Sequence, residues 1–310
     1  MEQRRLGGDG PAMSVVGLGC NNFGMKLERD DSLAVLRAAL DAGITHFDTA
    51  EMYGGGKSEE YVGEAVAGCR DDVVIATKFM PRPGDQTYEP GALRQRILDG
   101  VEISLRRLNT DRIDLYYQHY PDADAPVEEA LETLQDLVAQ GKVLHIASSN
   151  FSGAQIDAAA AAAADKGYPR FCGTQIEWNM LSRGVEDEVV PAARRNSLGI
   201  VPYFPLASGL LTGKYQKGEE FPEGSRFAFM SYFAGVATEE NFEQVEALTA
   251  FAAERGHTIL ELAVAWLAAQ EGVTSVICGA TKPAQIADNV RAAEWAMSAD
   301  ELAAVPLGGA

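Results

Sequence analysis

Short apolar runs and longer amphipathic stretches alternate along the whole chain. The apolar runs are Val15–Gly19, Ile44–Phe47, Val73–Thr77, Ile113–Gln118, His145–Ser148, Thr174–Glu177, Ile200–Phe204 and Ser275–Cys278. Their length and their bounding turn residues predict buried strands. Between them the apolar positions recur at helical spacing. Helices are predicted from Asp30 or Asp31 to Ala42, from Ser58 onward, and over Leu93–Leu108, Val127–Gln140, Gly153–Asp165 and Val185–Asn196. Three more cover Glu239–Arg255, Thr258–Gln270 and Pro283–Ala292. Asp30 or Asp31 is expected to cap the first helix, with Gly43 as its stop. Ser58, followed by Glu59 and Glu60, is expected to cap the second. Seven consecutive alanines from Ala158 to Ala164 read as a strong helix run with no function of their own.

Ahead of this pattern, Gln3–Leu6 and Ala12–Ser14 flank Gly7-Gly8-Asp9-Gly10-Pro11 and predict a hairpin that closes the bottom of a barrel. Regular strand–helix alternation implies parallel strands joined by right-handed crossovers. Eight units in about 300 residues fit a closed (β/α)8 TIM barrel better than an open doubly wound sheet. Residues 1–310 are read as one domain, with extra helices and loops at the C-terminal rim, the longest from Ser208 to about Gly235. A second long loop carries Pro81, Pro83, Gly84 and Pro90. A barrel of this kind holds its chemistry on the loops that follow the strands.

Composition narrows the classes. The chain has 310 residues, 46% of them hydrophobic, a net charge of −19 and a pI near 4.6. Such acidity disfavours a nucleic-acid partner and requires local positive groups wherever an anion binds. Cys20, Cys69, Cys172 and Cys278 are scattered without a CxxC pair, which suits a reducing cytoplasm and gives no metal spacing. The N-terminus shows no secretory leader, and no apolar run approaches the ~20 residues of a membrane helix.

Chemistry-bearing residues fall just past three of the strands. Asp48 ends one, with Tyr53 in the loop beyond it; Lys78 ends the next and His119 the one after. Together they form a proton-transfer set on one rim. A free phenol titrates near ~10, too high for a good acid at neutral pH. An ammonium at Lys78, oriented and kept charged by Asp48, is expected to lower the Tyr53 pKa. Other motifs fail on inspection. Gly54-Gly55-Gly56-Lys57-Ser58 lacks the first glycine of a phosphate loop, because position 51 is Glu. Val16-Gly17-Leu18-Gly19-Cys20 has only the start of a dinucleotide fingerprint. Asp114, Glu128 and Glu129 read as capping or solvated carboxylates, and His46 as a packing residue.

The segments GITHFDTAEMYG, ATKF, DLYYQHYPD, SSNFS, TQIEWNML and YFPLASGLLTGKY, in this order, resemble the aldo-keto reductases. These are nicotinamide-dependent carbonyl reductases built on a (β/α)8 barrel. The resemblance covers nearly the whole chain. One local departure is Ile44-Thr45, where the family often has Phe-Arg or Tyr-Arg. It implies catalysis by Asp48, Tyr53, Lys78 and His119, the last orienting the substrate oxygen and assisting proton delivery.

The same resemblance implies an NADPH site, with NADH as a second donor. Ser149, Asn150 and Gln175 would bond the nicotinamide carboxamide, and Tyr203 would stack on its ring. Gly19, Cys20 and Asn21 would border the site. Phe204, Pro205, Leu206, Gly209 and Leu210 would bring backbone to the pyrophosphate, with Lys214 nearby. Gly279, Thr281, Lys282 and Gln285 would meet the 2′-phosphate and Asn289 the adenine. Free backbone N–H groups in that turn and the following helix end are expected to favour an anion. Many relatives carry basic residues where this chain has Gly279 and Gln285, so the NADPH preference is expected to be moderate. The substrate pocket is expected from Asn21, Phe23, Tyr88, Tyr120 and Trp178, covered by Tyr232 and Phe233. Its aromatic walls suit an apolar or aromatic carbonyl compound. Alternatives are a sugar or polyol dehydrogenase on the same fold and a cofactor-binding regulatory subunit, since barrels of this family can partner membrane proteins.

Overall fold

The computed structural model describes residues 1–81 and 87–308; Pro83 and Gly84 of the expected loop lie outside them. Strands β1 (Gln3–Arg5) and β2 (Ala12–Ser14) form an antiparallel hairpin that pairs Gln3 with Ser14. The remaining strands are β3 (Val16–Gly19), β4 (His46–Asp48), β5 (Val74–Phe79), β6 (Ile113–Gln118), β7 (Val143–Ser149), β8 (Gly173–Glu177), β9 (Gly199–Tyr203) and β10 (Val276–Gly279). They pair in parallel in the order β10-β3-β4-β5-β6-β7-β8-β9. Ile200 closes the ring by bridging to Val273, with its N–H on Gly272 O at 2.8 Å and its O taking the Thr274 N–H at 2.9 Å. The expected (β/α)8 barrel with an N-terminal hairpin is the fold observed.

Helices cover the outside: α1 (Arg29–Asp41), α2 (Lys57–Val66), α3 (Ala92–Leu108), α4 (Val127–Ala139), α5 (Gly153–Lys166) and α6 (Val185–Arg195). Then come α7 (Arg226–Phe229), α8 (Glu239–Ala253), α9 (Ile259–Ala268), α10 (Pro283–Ala292) and α11 (Ala299–Ala304). Capping boxes start α5 (Ser152, Gln155) and α9 (Thr258, Glu261). Another, Ser298 with Glu301, starts α11, a helix the periodicity did not predict. Gly43, at φ +78°, ends α1 as expected. Two expected caps differ. Asp30 and Asp31 lie inside the first turn of α1, which begins after Glu28. Ser58 lies inside α2, whose first residue is Lys57 after a left-handed Gly56. The Ser58 hydroxyl instead donates to Cys20 O at 2.9 Å, tying α2 to the end of β3.

Because a strand shows alternate residues to opposite faces, the barrel has two apolar layers. Val74, Ala76, Leu115, Tyr117, Val201 and Ile277 fill the inside, and Leu6 and Met13 of the hairpin plug its lower end. Ile75, Phe79, Tyr116, Ile176 and Ile200 point outward into the helix layer. Continuing the inner alternation upward places Asp48, Lys78, Gln175 and Tyr203 in the last inner layer, at the C-terminal mouth.

Candidate active site

Lys78 is fully buried in β5, and its Nζ donates to Asp48 Oδ1 at 2.6 Å and to Thr49 O at 2.8 Å. Gln175 Nε2 occupies the other carboxylate oxygen, Asp48 Oδ2, at 2.7 Å. Asp48 therefore orients two groups at once. Tyr53 begins a short turn, Tyr53–Gly56, and its ring lies over this pair with Lys78 Nζ 5.0 Å from the centroid. His119 stands edge-on to Tyr53 with ring centroids 6.0 Å apart, and Tyr120 stacks on His119 at 4.8 Å. The four residues expected to do chemistry are thus brought together at one mouth of the barrel.

Their charge states follow from burial and from one another. Burial lowers the Lys78 pKa, but the carboxylate of Asp48 outweighs it and the amine stays an ammonium, above its ordinary value. Burial raises the Tyr53 pKa, and the Lys78 charge opposes that rise without reversing it. The expected net lowering is corrected: the pKa is raised, and the phenol keeps its proton at neutral pH. Burial, with Lys78 adding to it, pushes His119 down to about 3, so its imidazole is neutral. His119 Nδ1 is buried without a hydrogen-bond partner.

Beside this mouth stand the loops that follow β7, β9 and β10. Asn150, held at φ +62°, donates to His119 O at 3.0 Å and to Ser149 Oγ at 3.2 Å, and accepts from Tyr203 OH at 2.8 Å. After β9 the backbone is left-handed at Phe204, Ala207, Ser208 and Gly209. Such conformations cost free energy and concentrate at binding loops. A side chain at Gly209 would come within 2.8 Å of Lys214 Nζ, so the glycine lets Lys214 fold back over the loop. Burial and the repulsion of Lys214, Arg226 and Lys282 together lower the Lys26 pKa. Four cations converge here on a chain of charge −19, which suits the phosphates of a dinucleotide.

The model of the Aldo/keto reductase family matches residues 15–306 of this chain. The chain belongs to that family. It is 35% identical over 306 residues to a "Probable voltage-gated potassium channel subunit beta" of Arabidopsis thaliana, covering 95% of this chain and 92% of the relative. It is also 35% identical over 308 residues to "Aldo-keto reductase YhdN" of Bacillus subtilis, covering 97% and 91%. To "L-glyceraldehyde 3-phosphate reductase" of Escherichia coli O157:H7 it is 32% identical over 319 residues, covering 98% and 91%.

Several expected contacts of this aldo/keto reductase are arranged otherwise. Trp178 does not reach the mouth. Strand phase turns Gln175 inward, and Trp178, three residues on, outward; it packs on Trp266 of α9 and donates to Glu186 Oε1 at 3.0 Å. Phe23 is fully buried in the outer core. Tyr88 donates to Glu129 Oε2 on α4 at 2.6 Å. Tyr120 does stand at the mouth. Tyr232 projects into solvent at 87% exposure, whereas Phe233 packs on Phe204 at 5.7 Å. Leu210 is buried, Gly19 is closely packed on Ile277 of β10, and Cys20 sits at full burial with its N–H on Asp48 O. In the turn after β10, Gln285 Oε1 accepts from the N–H groups of Thr281 (2.7 Å) and Lys282 (3.2 Å). Those amides are capped, not free as expected. Asn289 is buried and donates to Gly279 O at 3.4 Å.

Three residues went unnoticed in the sequence. Arg226 follows the helix cap Ser225, donates to Asn22 Oδ1 at 3.3 Å, and lies over the rings of Phe204 (5.4 Å) and Phe233 (4.9 Å). Lys26 donates to Gly224 O at 2.6 Å, so two links join the loop after β3 to the long loop after β9. Glu177 shares the inner phase of Gln175, and burial raises its pKa. The alternation in TQIEW carried that signal. The two basic residues had none, since their loops are distant in sequence. Among the described residues, no group of three or more His, Cys, Asp or Glu could hold a metal ion, and no helix is long and apolar enough to cross a membrane.

Proposed function

We propose that the protein reduces aldehydes and ketones to alcohols, with NADPH preferred and NADH accepted. The carrying observation is the buried Asp48–Lys78 pair beneath Tyr53, together with a neutral His119 and a cluster of four cations. Bound beside that cluster, a reduced nicotinamide would supply the hydride. Lys26, Lys214, Arg226 and Lys282 would hold its phosphates, and Ser149, Asn150 and Gln175 its carboxamide. Tyr203 would offer its ring face. His119 would orient the carbonyl oxygen with an N–H, and Tyr53 would give that oxygen its proton. Lys78 would stabilise the resulting phenolate, and Asp48 would keep Lys78 charged. The rim residues Tyr120, Met52 and Met25, each exposed, favour an apolar or aromatic substrate. A cytoplasmic setting belongs to this reading, supported by four free cysteines, three of them buried.

A panel of aromatic and aliphatic aldehydes, ketones and a phosphorylated triose, followed through loss of the reduced-nicotinamide absorbance, tests this. Turnover of an aromatic aldehyde is expected; no turnover of any carbonyl compound overturns it. Rapid polyol oxidation with negligible reduction would instead favour a dehydrogenase. Likeness to the channel-subunit relatives favours one further reading, a cofactor-binding regulatory subunit. It gains ground if the protein binds cofactor, reduces nothing, and is recovered with a stable heteromeric partner.

A further inference from the structure

Tyr53 begins a glycine-rich turn, with its N–H on Ala50 O at 3.0 Å and the Gly55 N–H on Met52 O at 3.2 Å. Gly54, Gly55 and Gly56 follow it in sequence, all left-handed, at φ +58°, +66° and +99°. Three consecutive glycines carry the greatest backbone freedom. A donor whose placement matters to within about 1 Å needs this segment fixed from outside.

Arg107, in the last turn of α3, meets the segment on both sides of Tyr53. Its Nη1 donates to Glu51 O at 2.9 Å, two residues before Tyr53. Three residues after it, a Cβ on Gly56 would lie 2.3 Å from Arg107 Cζ, so the guanidinium is packed against that glycine. The same Nη1 pairs with Glu59 Oε2 at 3.2 Å. Glu59, itself fully buried, accepts from Thr77 Oγ1 at 2.7 Å, and Thr77 immediately precedes Lys78. A second link runs through Glu51, whose N–H donates to Lys78 O at 3.2 Å. Its carboxylate accepts from Met80 N at 2.8 Å and pairs with Arg96, also on α3. The segment that carries the phenol is thereby tied, through buried charges, to the strand that carries the ammonium.

We propose that Arg107 is a positioning residue that sets where the Tyr53 phenol stands relative to Lys78. The proposal rests on Tyr53 acting as the proton donor in the function proposed above. A planar fork is needed, because one group must reach a carbonyl and a carboxylate while lying flat under a glycine; lysine offers a point charge without that shape. If Arg107 served only to neutralise Glu59, a lysine would suffice.

Four full-length variants decide this: Arg107→Lys, the pair Glu59→Gln with Arg107→Met, Gly56→Ala, and Tyr53→Phe as reference. The paired variant leaves no buried charge uncompensated, so it carries the test should Arg107→Lys fail to fold. Two readouts are taken. One is the kcat for 4-nitrobenzaldehyde with NADPH, alongside NADPH Kd by fluorescence. The other is the ultraviolet titration of the Tyr53 phenol, isolated as the difference from Tyr53→Phe. Arg107→Lys, Gly56→Ala and the pair are expected to lose roughly 10- to 100-fold in kcat, with NADPH Kd within about twofold of wild type. The Tyr53 titration is expected to move upward by roughly one unit as the phenol leaves Lys78. Folded variants with wild-type kcat and an unmoved titration overturn the proposal. If the wild-type protein reduces no carbonyl, the proposed function falls, while the titration still decides the role of Arg107.

Discussion

Lys78 Nζ and Asp48 Oδ1 lie 2.6 Å apart with both side chains withdrawn from solvent, at 0% and 4% exposure. Neither could be buried there charged without the other. Asp48→Asn removes the carboxylate and leaves the ammonium facing a backbone carbonyl and an amide. A loss of about 3–5 kcal/mol in stability is expected, read from urea unfolding. Reductase activity should fall with it, because a less stable ammonium stabilises the phenolate less. A variant as stable and active as wild type would show that the pair is dispensable.

The proton held by Tyr53 gives the second prediction. Tyr53→Phe keeps the ring over Lys78 and removes only the hydroxyl. Single-turnover oxidation of NADPH by an aromatic aldehyde is expected to slow by ~10²–10⁴, the usual worth of a positioned general acid. Unchanged rates would transfer the donor role to another group.

Two buried imidazoles make stability depend on acid. Burial pushes His46 down to about 4, with its Nδ1 on Ser275 Oγ at 2.8 Å and its Nε2 without a partner. His119 is lower still, at about 3. A depressed folded pKa means the unfolded chain binds protons first, so this stability is present above ~6.5 and lost as pH falls through the folded value. For His46 the loss by pH 5 is on the order of 2 kcal/mol. Urea unfolding at pH 7.5 and pH 5 should therefore show a drop, and His46→Gln should remove about half of the histidine part. An identical drop in the variant would put the acid lability elsewhere.

Arg226 leads to a fourth expectation. It joins the cationic cluster around Lys26 from the long loop after β9, braced by Phe204, Phe233 and Asn22. Arg226→Met keeps the apolar stem against those rings and removes the charge. If it faces the phosphates shared by both dinucleotides, NADPH and NADH should weaken alike, by roughly ten-fold or more. Fluorescence titration with each cofactor measures it; a loss confined to NADPH would move Arg226 to the 2′-phosphate instead.

The barrel and its mouth were legible because they rest on short-range regularities. Strand–helix alternation gave the ring, and strand ends gave Asp48, Lys78 and the position just before His119. What failed depended on phase or on distance. Counting by twos from Gln175 turns Trp178 outward, so that direction was readable in TQIEW, while its partner Trp266 was not. The raised Tyr53 pKa was not readable, since it depends on how much burial outweighs one ammonium. Nor was the meeting of Lys26 with the carbonyl of Gly224, 198 residues away, which exists only once the barrel is closed.

The turn after β10 holds the last prediction, on the choice between dinucleotides. NADPH carries an added phosphate of about −1.5 to −2 charge, by analogy with phosphorylated side chains. Lys282, at the start of α10, is exposed and offers one positive charge. The adjoining amides of Thr281 and Lys282 already bond Gln285 Oε1, and that oxygen stands where an anion would seek them. The Thr281 hydroxyl also donates to that oxygen, at 3.2 Å, so a phosphate must displace the Gln285 side chain or be content with Lys282 alone. Either way the gain is modest, about 1–2 kcal/mol, or roughly ten- to thirty-fold in kcat/KM for NADPH over NADH. Lys282→Met should erase most of this preference and leave NADH kinetics nearly unchanged. Gln285→Ala should act in the opposite sense, freeing two N–H groups at a helix N-terminus and widening the preference. Steady-state kinetics with both dinucleotides check the pair. Wild-type preference for NADH, or a Lys282→Met variant weakened equally toward both, would show that this turn does not read the 2′-phosphate.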